Sequence, residues 1–394
     1  MNSINRTFEM KSNEKSVELR NEGNKLFAQR KFEDALLKYN ESLCNAEGDE
    51  NLALAFANRS AVYIEMKLYQ RCLDNIKLAK GHNYPEEKLA KLQEREARCL
   101  EQLMMQAASI ESEPFDFFKL SYKANPKIPF IIDDLELKTN AKYGRHIVTK
   151  RDLKVGDIIS FDRAIFKNIQ SDPAFGRNTK TSNKFNFCHN CFKENHLDLI
   201  PCESCNSTMF CSVECAKSAQ NYHKYECKNS EILQSSFTLT QFRSFFKALA
   251  IMDGSIGELE KLFNECLKSP KTIFDFDFSD PNDPEYERNQ LRAALGLARN
   301  KKLKEALSLK MFFTLCPQYK KTWLRHERFI EKFILHLKQI SFFCQGLYGK
   351  NLPLQQDRMF RNRTFGSGFY LFGTLFNHSC WPNVYSYNTF SSTA

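Results

Sequence analysis

Residues 188–227 read CHNCFKENHLDLIPCESCNSTMFCSVECAKSAQNYHKYEC. Seven of the chain's 14 cysteines fall in this stretch. With one histidine they form an ordered set: Cys188, Cys191, Cys202, Cys205, Cys211, Cys215, His223 and Cys227. The spacing is C-x2-C, C-x2-C, C-x3-C, H-x3-C. Eight soft ligands make two four-coordinate sites, and thiolate with imidazole selects zinc. The stretch has too few large apolar residues to bury a core of its own. Coordination must therefore supply its folding free energy, on the order of 10 kcal/mol per structural zinc. His189 and His196 lie off the spacing and read as surface residues. Spacing alone leaves open which ligands share an ion.

The rest of the composition agrees with an intracellular setting for such a site. The N-terminus, MNSINRTFEMKSNEK, has no apolar leader segment, and no apolar run approaches the roughly 20 residues of a membrane helix. The expected location is cytoplasm and nucleus, where cysteines stay reduced. A chain of 394 residues exceeds one ordinary domain, so two or three are expected. The net charge of +10 is modest for this length and reads as a basic surface, not as a nucleic-acid footprint.

Toward the N-terminus, SVELRNEGNKLFAQRKFEDALLKYNESL places Leu19, Gly23, Leu26 and Phe27, then Phe32, Ala35, Leu36, Tyr39 and Leu43, at helical spacing. Tyr69, Cys72, Leu73, Ile76 and Ala79 repeat the pattern of Phe32, Ala35, Leu36, Tyr39 and Ser42. Pro85 closes the second unit, and Glu86–Gln106 reads as one more helix. Such a two-helix repeat, with a small residue in the first helix and alanine in the second, resembles tetratricopeptide (TPR) repeats. From Ile128 to Ile169, short β-branched runs broken by Gly144 and Gly156 predict strands. Residues 228–350 read mostly helical, with Leu239, Phe242, Phe246 and Leu249 on one face. An acidic loop, FDFDFSDPNDPEYE, and a basic run, RNKKLK, interrupt them.

The order of the ligand pairs resembles a MYND zinc finger. That resemblance implies interleaved ligands: Cys188, Cys191, Cys211 and Cys215 on one ion, Cys202, Cys205, His223 and Cys227 on the other. MYND fingers generally bind peptides, often proline-rich ones. NAKYGRHIVTKRDLKVGDII lies upstream of the finger and GSGFYLFGTLFNHSCWPN downstream. Together with the finger they resemble a SET domain split by a MYND insertion. This is the pattern of the SMYD family of protein-lysine methyltransferases, in its TPR-bearing branch, from about residue 16 onward.

The resemblance implies an α+β multidomain chain: α-helical TPR repeats, then a β-rich SET domain split by the finger and a helical insert. The expected boundaries are a disordered 1–15, repeats at 16–108, the first SET part at 109–187, the finger at 188–227, the helical insert at 228–360 and the SET core at 361–394. It further implies S-adenosylmethionine as cofactor, with Tyr143, Gly144 and Arg145 forming one wall and Asn377 and His378 the other. Gly144 would let backbone approach the ligand, and an asparagine amide both donates and accepts. His146 stands where the family usually has glycine. The family's G-E-E-[IL]-x-x-x-Y segment, which carries a tyrosine that orients the amine, does not occur in these 394 residues. Nor do the three cysteines that would join Cys380 at a third zinc. Tyr385 and Tyr387 follow too closely to take that role, so no catalytic residue is assigned. The chain reads as ending ahead of those segments, with activity impaired as it stands. The alternative is an adaptor whose TPR and MYND modules bind partners without catalysis.

One more set stands out. Arg20 and Asn24 lie four apart on the first helix, Asn58 on the third, and Lys91 and Arg95 four apart on the fifth. Residues four apart share a helix face. The set resembles the carboxylate clamp of co-chaperone TPR domains, which hold the acidic C-terminal tail of heat-shock chaperones. Solvated surface charge is the competing reading.

Overall fold

The computed structural model describes residues 10–107, 119–169, 187–191, 198–227, 229, 240–297, 299, 301–302, 309, 312–313, 316–341, 345–349, 363–377 and 383–384. The chain is helix-rich with a few short strands, and it divides into two compact units. One holds residues 1–114 and 178–231. The other holds 115–177 and 232–389.

The first unit begins with five helices: α1 (Asn13–Ala28), α2 (Phe32–Asn45), α3 (Asp49–Glu65), α4 (Tyr69–Gly81) and α5 (Glu86–Ala107). Ser12 caps α1 by accepting from the Lys15 N–H. The α1–α2 and α3–α4 connections each pass through a left-handed residue, Arg30 at φ 58° and Lys67 at φ 59°. Both sit two residues ahead of the next helix, so the repeat seen in the sequence is a repeat of backbone conformation too. Ala35, Tyr39 and Ser42 on α2 are buried, as are Cys72, Ile76 and Ala79 at the equivalent places on α4. Full burial of side chains such as Leu36 or Ile76 stabilises by about 1.5–3 kcal/mol each. Gly23 is required by contact: a Cβ there would lie 2.5 Å from the Tyr39 ring. The finger belongs to the same unit. It contributes the two-residue antiparallel pair β4 (Ile200–Pro201) and β5 (Met209–Phe210), then α6 (Val213–Glu226).

A buried polar node joins the finger to the helices. Arg59 on α3 is fully buried. Its guanidinium donates to Asn40 Oδ1 on α2 and to the Leu199 carbonyl, and it lies 3.8 Å from the Asp198 carboxylate. Arg71 and Asn75 on α4 reach the same carboxylate at 3.5 and 3.3 Å. A buried charge survives only when paired and hydrogen-bonded. The finger's Leu199 carbonyl and Asp198 supply that pairing.

Among its described residues, the second unit has two sheets. A hairpin joins β1 (Leu135–Asn140) to β2 (Gly144–Thr149). An antiparallel three-stranded sheet has the order β3 (Ala164–Ile169), β7 (Arg363–Tyr370), β6 (Gln345–Gly349). Its helices are α7 (Thr240–Ile251), α8 (Ile256–Lys268), α9 (Tyr286–Leu295) and α10 (Glu327–Ser341). Phe242 and Phe246 on α7 face a buried aromatic cluster, as their spacing predicts; Leu239 lies outside the described residues. Phe242 stacks on Phe312 at 4.1 Å, and Phe245 meets Trp323 and Phe333 edge-on. Aromatic pairs of this kind add about 0.5–1.5 kcal/mol beyond area burial. Among the described residues, no helix is long and apolar enough to cross a membrane.

Candidate functional sites

The eight finger ligands form two sets: Cys188, Cys191, Cys211 and Cys215, and Cys202, Cys205, His223 and Cys227. Within each set the ligand atoms lie within 4.8 Å of one another. Cys191–Cys211 and Cys211–Cys215 sulfurs are 3.6 and 3.5 Å apart, and Cys202–Cys227 4.0 Å. A tetrahedron of Zn–S bonds near 2.3 Å has edges of about 3.8 Å. A disulfide would need sulfurs at about 2.05 Å. The donor chemistry and spacing therefore fit two structural zinc ions.

Local structure explains the interleaving. The antiparallel β4–β5 pair sets Cys202 at one end of its ladder and Cys211 at the other, so the two go to different sets. Asn190 and Ser204 N–H groups point at the Cys188 and Cys202 sulfurs, each 3.4 Å away. Ser212 caps α6, so Cys215 sits in its first turn and His223 in its last. One helix thus serves both sets. His223 turns Nε2 toward the Cys205 sulfur at 3.6 Å, which leaves Nδ1–H to donate to the buried Glu226 carboxylate at 3.2 Å. That carboxylate fixes the ring's orientation and tautomer. His189, expected at the surface, is fully buried. Its Nδ1 lies 3.1 Å from the Met209 carbonyl, and Tyr222 donates to the His189 carbonyl. Pairing between remote backbone segments puts it inside, which local spacing could not reveal. His196 lies outside the described residues.

In the second unit, Asn140 accepts from the Tyr143 N–H at 2.7 Å and closes the β1–β2 turn. Gly144 follows at φ +63°, a conformation that favours glycine. A Cβ added there would meet nothing within 4 Å, so the backbone faces open space. Asn377 donates from Nδ2 to the Tyr143 carbonyl at 2.8 Å. Two segments that lie before and after the finger in sequence thus meet at Tyr143 and Asn377. Tyr143 is 54% exposed and Asn377 is exposed. Arg145 turns its guanidinium to the Gly296 carbonyl, 2.9 Å away at the end of α9, and is half-buried. Burial lowers its pKa, and Asp275 opposes that shift. Its side chain therefore fastens the turn to α9. His146 closes the turn from its other side, with Nδ1 3.0 Å from the Gly144 carbonyl. His378, Cys380, Tyr385 and Tyr387 lie outside the described residues. Cys266 and Cys316 are buried thiols; Cys344 is outside the described residues.

On the helical repeats, Asn24 accepts from both Tyr39 OH and Asn58 Nδ2 at 2.8 Å, joining α1 to α3. Arg95 on α5 donates to the Ala57 carbonyl at 2.9 Å and to Ser60 Oγ at 2.7 Å, both on α3. Arg20 is half-buried, with its pKa lowered by burial and held up by Glu50. Lys91 is exposed. Among the described residues, neither Arg20 nor Lys91 is in an ion pair. The five side chains therefore lie on α1, α3 and α5, with the contacts running from helix to helix through Asn24–Asn58 and Arg95.

Comparison with known proteins adds to this geometry. The family model for the MYND finger matches residues 188–227. The chain is 28% identical over 226 residues to protein-lysine N-methyltransferase SMYD4 of Danio rerio, an alignment covering 55% of this chain and 30% of that protein. It is 23% identical over 414 aligned residues to the Mus musculus protein of the same name, covering 88% of this chain and 50% of the relative. It is 24% identical over 217 residues to a SET and MYND domain-containing protein of Dictyostelium discoideum, covering 50% and 40%. The chain thus spans half or less of the length of these relatives. A finger matched over its whole ligand set, and a likeness to SET and MYND proteins that runs through most of the chain, make it similar to the SMYD family.

Proposed function

We propose that the chain is the TPR, finger and cofactor-binding portion of a SET-type protein-lysine N-methyltransferase that uses S-adenosylmethionine. The observation that carries this reading is the hydrogen bond from Asn377 to the Tyr143 carbonyl, which joins the two candidate cofactor walls. The names of the relatives support it. S-adenosylmethionine, when bound, supplies an electrophilic methyl group on a sulfonium sulfur. The backbone at Tyr143 and Gly144 and the Asn377 amide hold the cofactor's polar end, with His378 beside Asn377. Arg145 and Asn140 hold the first turn in shape. The substrate lysine must shed its proton before it can attack, which partial desolvation favours. No residue of this chain is assigned as the catalytic group. The test is isothermal titration of the zinc-loaded chain with S-adenosylhomocysteine. Saturable binding that weakens about tenfold in Asn377→Ala is expected, the scale of one or two hydrogen bonds. Absence of binding to the parent chain would leave the adaptor reading in its place.

The helical repeats are read as TPR repeats whose clamp takes an acidic peptide tail such as that of a cytosolic heat-shock chaperone. Arg20, Lys91 and Arg95 supply cations, and Asn24 and Asn58 amide groups. The finger's partners are proline-rich peptides, and the chain works in cytoplasm and nucleus. Fluorescence anisotropy with a labelled acidic C-terminal peptide checks the clamp. Arg95→Ala should weaken it about tenfold, and an unchanged Kd would remove the idea.

A further inference from the structure

We propose that Asp162 is a positioning residue of the second cofactor wall: its carboxylate fixes the turn that delivers Asn377 to the Tyr143 carbonyl. The inference rests on the cofactor reading above and adds to it a residue that no motif marks.

Asp162 lies two residues before β3, and β3 pairs with β7 so that Ala164 faces Tyr370. The carboxylate is therefore placed where β7 ends. Its Oδ2 accepts from both the Phe372 and Gly373 N–H groups, each at 2.8 Å. These amides open the short helical turn Gly373–Leu375. Donors at the start of such a turn have no partner within it and need an external acceptor. A single carboxylate oxygen meets two of them, and its charge suits the positive end of the turn. The Phe372 side chain is fully buried and meets Phe376 edge-on at 5.1 Å. Burial pushes the Asp162 pKa up to about 6, while the Phe372, Gly373 and Arg163 N–H groups act in the other direction.

The segment from Phe372 to Asn377 is thus held at both ends: by Asp162 where it starts, and by the bond from Asn377 to Tyr143 where it ends. Freeing the first end lets the turn rotate and carries the Asn377 amide away from the wall. The loss falls on cofactor affinity although the hydrogen bonds of the Asp162 carboxylate go to the turn's backbone.

The test compares the zinc-loaded full chain with Asp162→Ala and Asp162→Asn. S-adenosylhomocysteine binding is read by titration, and amide hydrogen exchange is read across 371–377. Asp162→Ala should weaken binding about tenfold and speed exchange at Phe372 and Gly373 by a similar factor. Asp162→Asn keeps an acceptor oxygen in place and should restore both to within about threefold of the parent. Parental binding in Asp162→Ala, or unchanged exchange at those two amides, overturns the proposal. So does an equal loss in both variants that tracks a lowered melting temperature, the mark of a merely structural carboxylate. If the parent chain takes up no S-adenosylhomocysteine, the cofactor reading fails by itself, and the exchange comparison still decides whether Asp162 holds the turn.

Discussion

The two candidate sites are built on opposite principles. In the finger, side chains do the binding: seven thiolates and an imidazole converge, and the backbone only has to bring them within reach. At the Tyr143–Asn377 junction, backbone does most of the work: a left-handed glycine, an asparagine-closed turn and a carbonyl that accepts from an amide. The first kind of site leaves its mark in residue type and spacing. The second leaves its mark in conformation, which few residue types report. The difference also sets how each fails. The finger is vulnerable to loss of metal, and the second unit to anything that unseats its helices and turns.

The largest way to break the comparison is chelation. A strong zinc chelator should unfold the finger, removing on the order of 10 kcal/mol of coordination free energy per ion. The second unit contains neither ligand set and should keep its structure. Elemental analysis should give two zinc per chain, and hydrogen exchange before and after chelation should place the new exposure in 188–227. Equal exposure in the β3–β7–β6 sheet would contradict the contrast.

Next in size is the buried node behind the finger. Arg59→Ala leaves the Asn40 amide oxygen, the Leu199 carbonyl and the Asp198 carboxylate without their shared donor. Removing one member of a buried charged network costs about 4 kcal/mol. Arg71 and Asn75 still reach Asp198, and Asp198 is partly exposed, so they temper the loss. Urea unfolding monitored on the first unit measures it. Arg59→Met, which keeps volume without charge, should cost less. A stability equal to that of the parent in Arg59→Ala would show that the node does not hold the finger to the helices.

How legible these features were follows the same division. The eight ligands were readable because zinc demands soft donors at short loop spacings, and the structure groups them as the MYND resemblance implied. The helical repeats were readable because the burial pattern at Ala35, Tyr39 and Ser42 recurs at Cys72, Ile76 and Ala79. Arg59 was not. A lone arginine in a helix reads as a solvated residue, and its partners on the finger lie far along the chain. His189 misled for the same reason, since pairing with Met209 decides its burial. Gly144 and Asn377 stood out only as parts of a family pattern; a lone glycine or asparagine carries no such signal. Asp162 was silent, because a carboxylate before a strand acquires meaning only when β7 brings the Phe372 and Gly373 amides to it.

The smallest effect concerns pH and sharpens the contrast from the side of the second unit. His336 on α10 is buried, with Nε2 3.0 Å from the Leu295 carbonyl and its ring edge-on to Phe263. Burial, with help from nearby Arg299 and Lys332, pushes its pKa down from 6.5 to about 4. The neutral ring donates from Nε2 to Leu295, and Nδ1 has no partner among the described residues. A base whose folded pKa is depressed contributes its full stability above the unfolded value of 6.5. That stability is lost as pH falls from there toward 4, because the unfolded chain takes up the proton first. The loss should reach about 2 kcal/mol at pH 5. Acid also protonates the finger's ligands and releases zinc, so the parent's curve alone cannot assign the effect. His336→Gln removes the titrating ring and keeps an amide that can donate to Leu295. Its second unit, followed by Trp323 fluorescence, should lose less stability between pH 7 and pH 5 than the parent's. Parallel curves would place the acid sensitivity of the second unit in some other group.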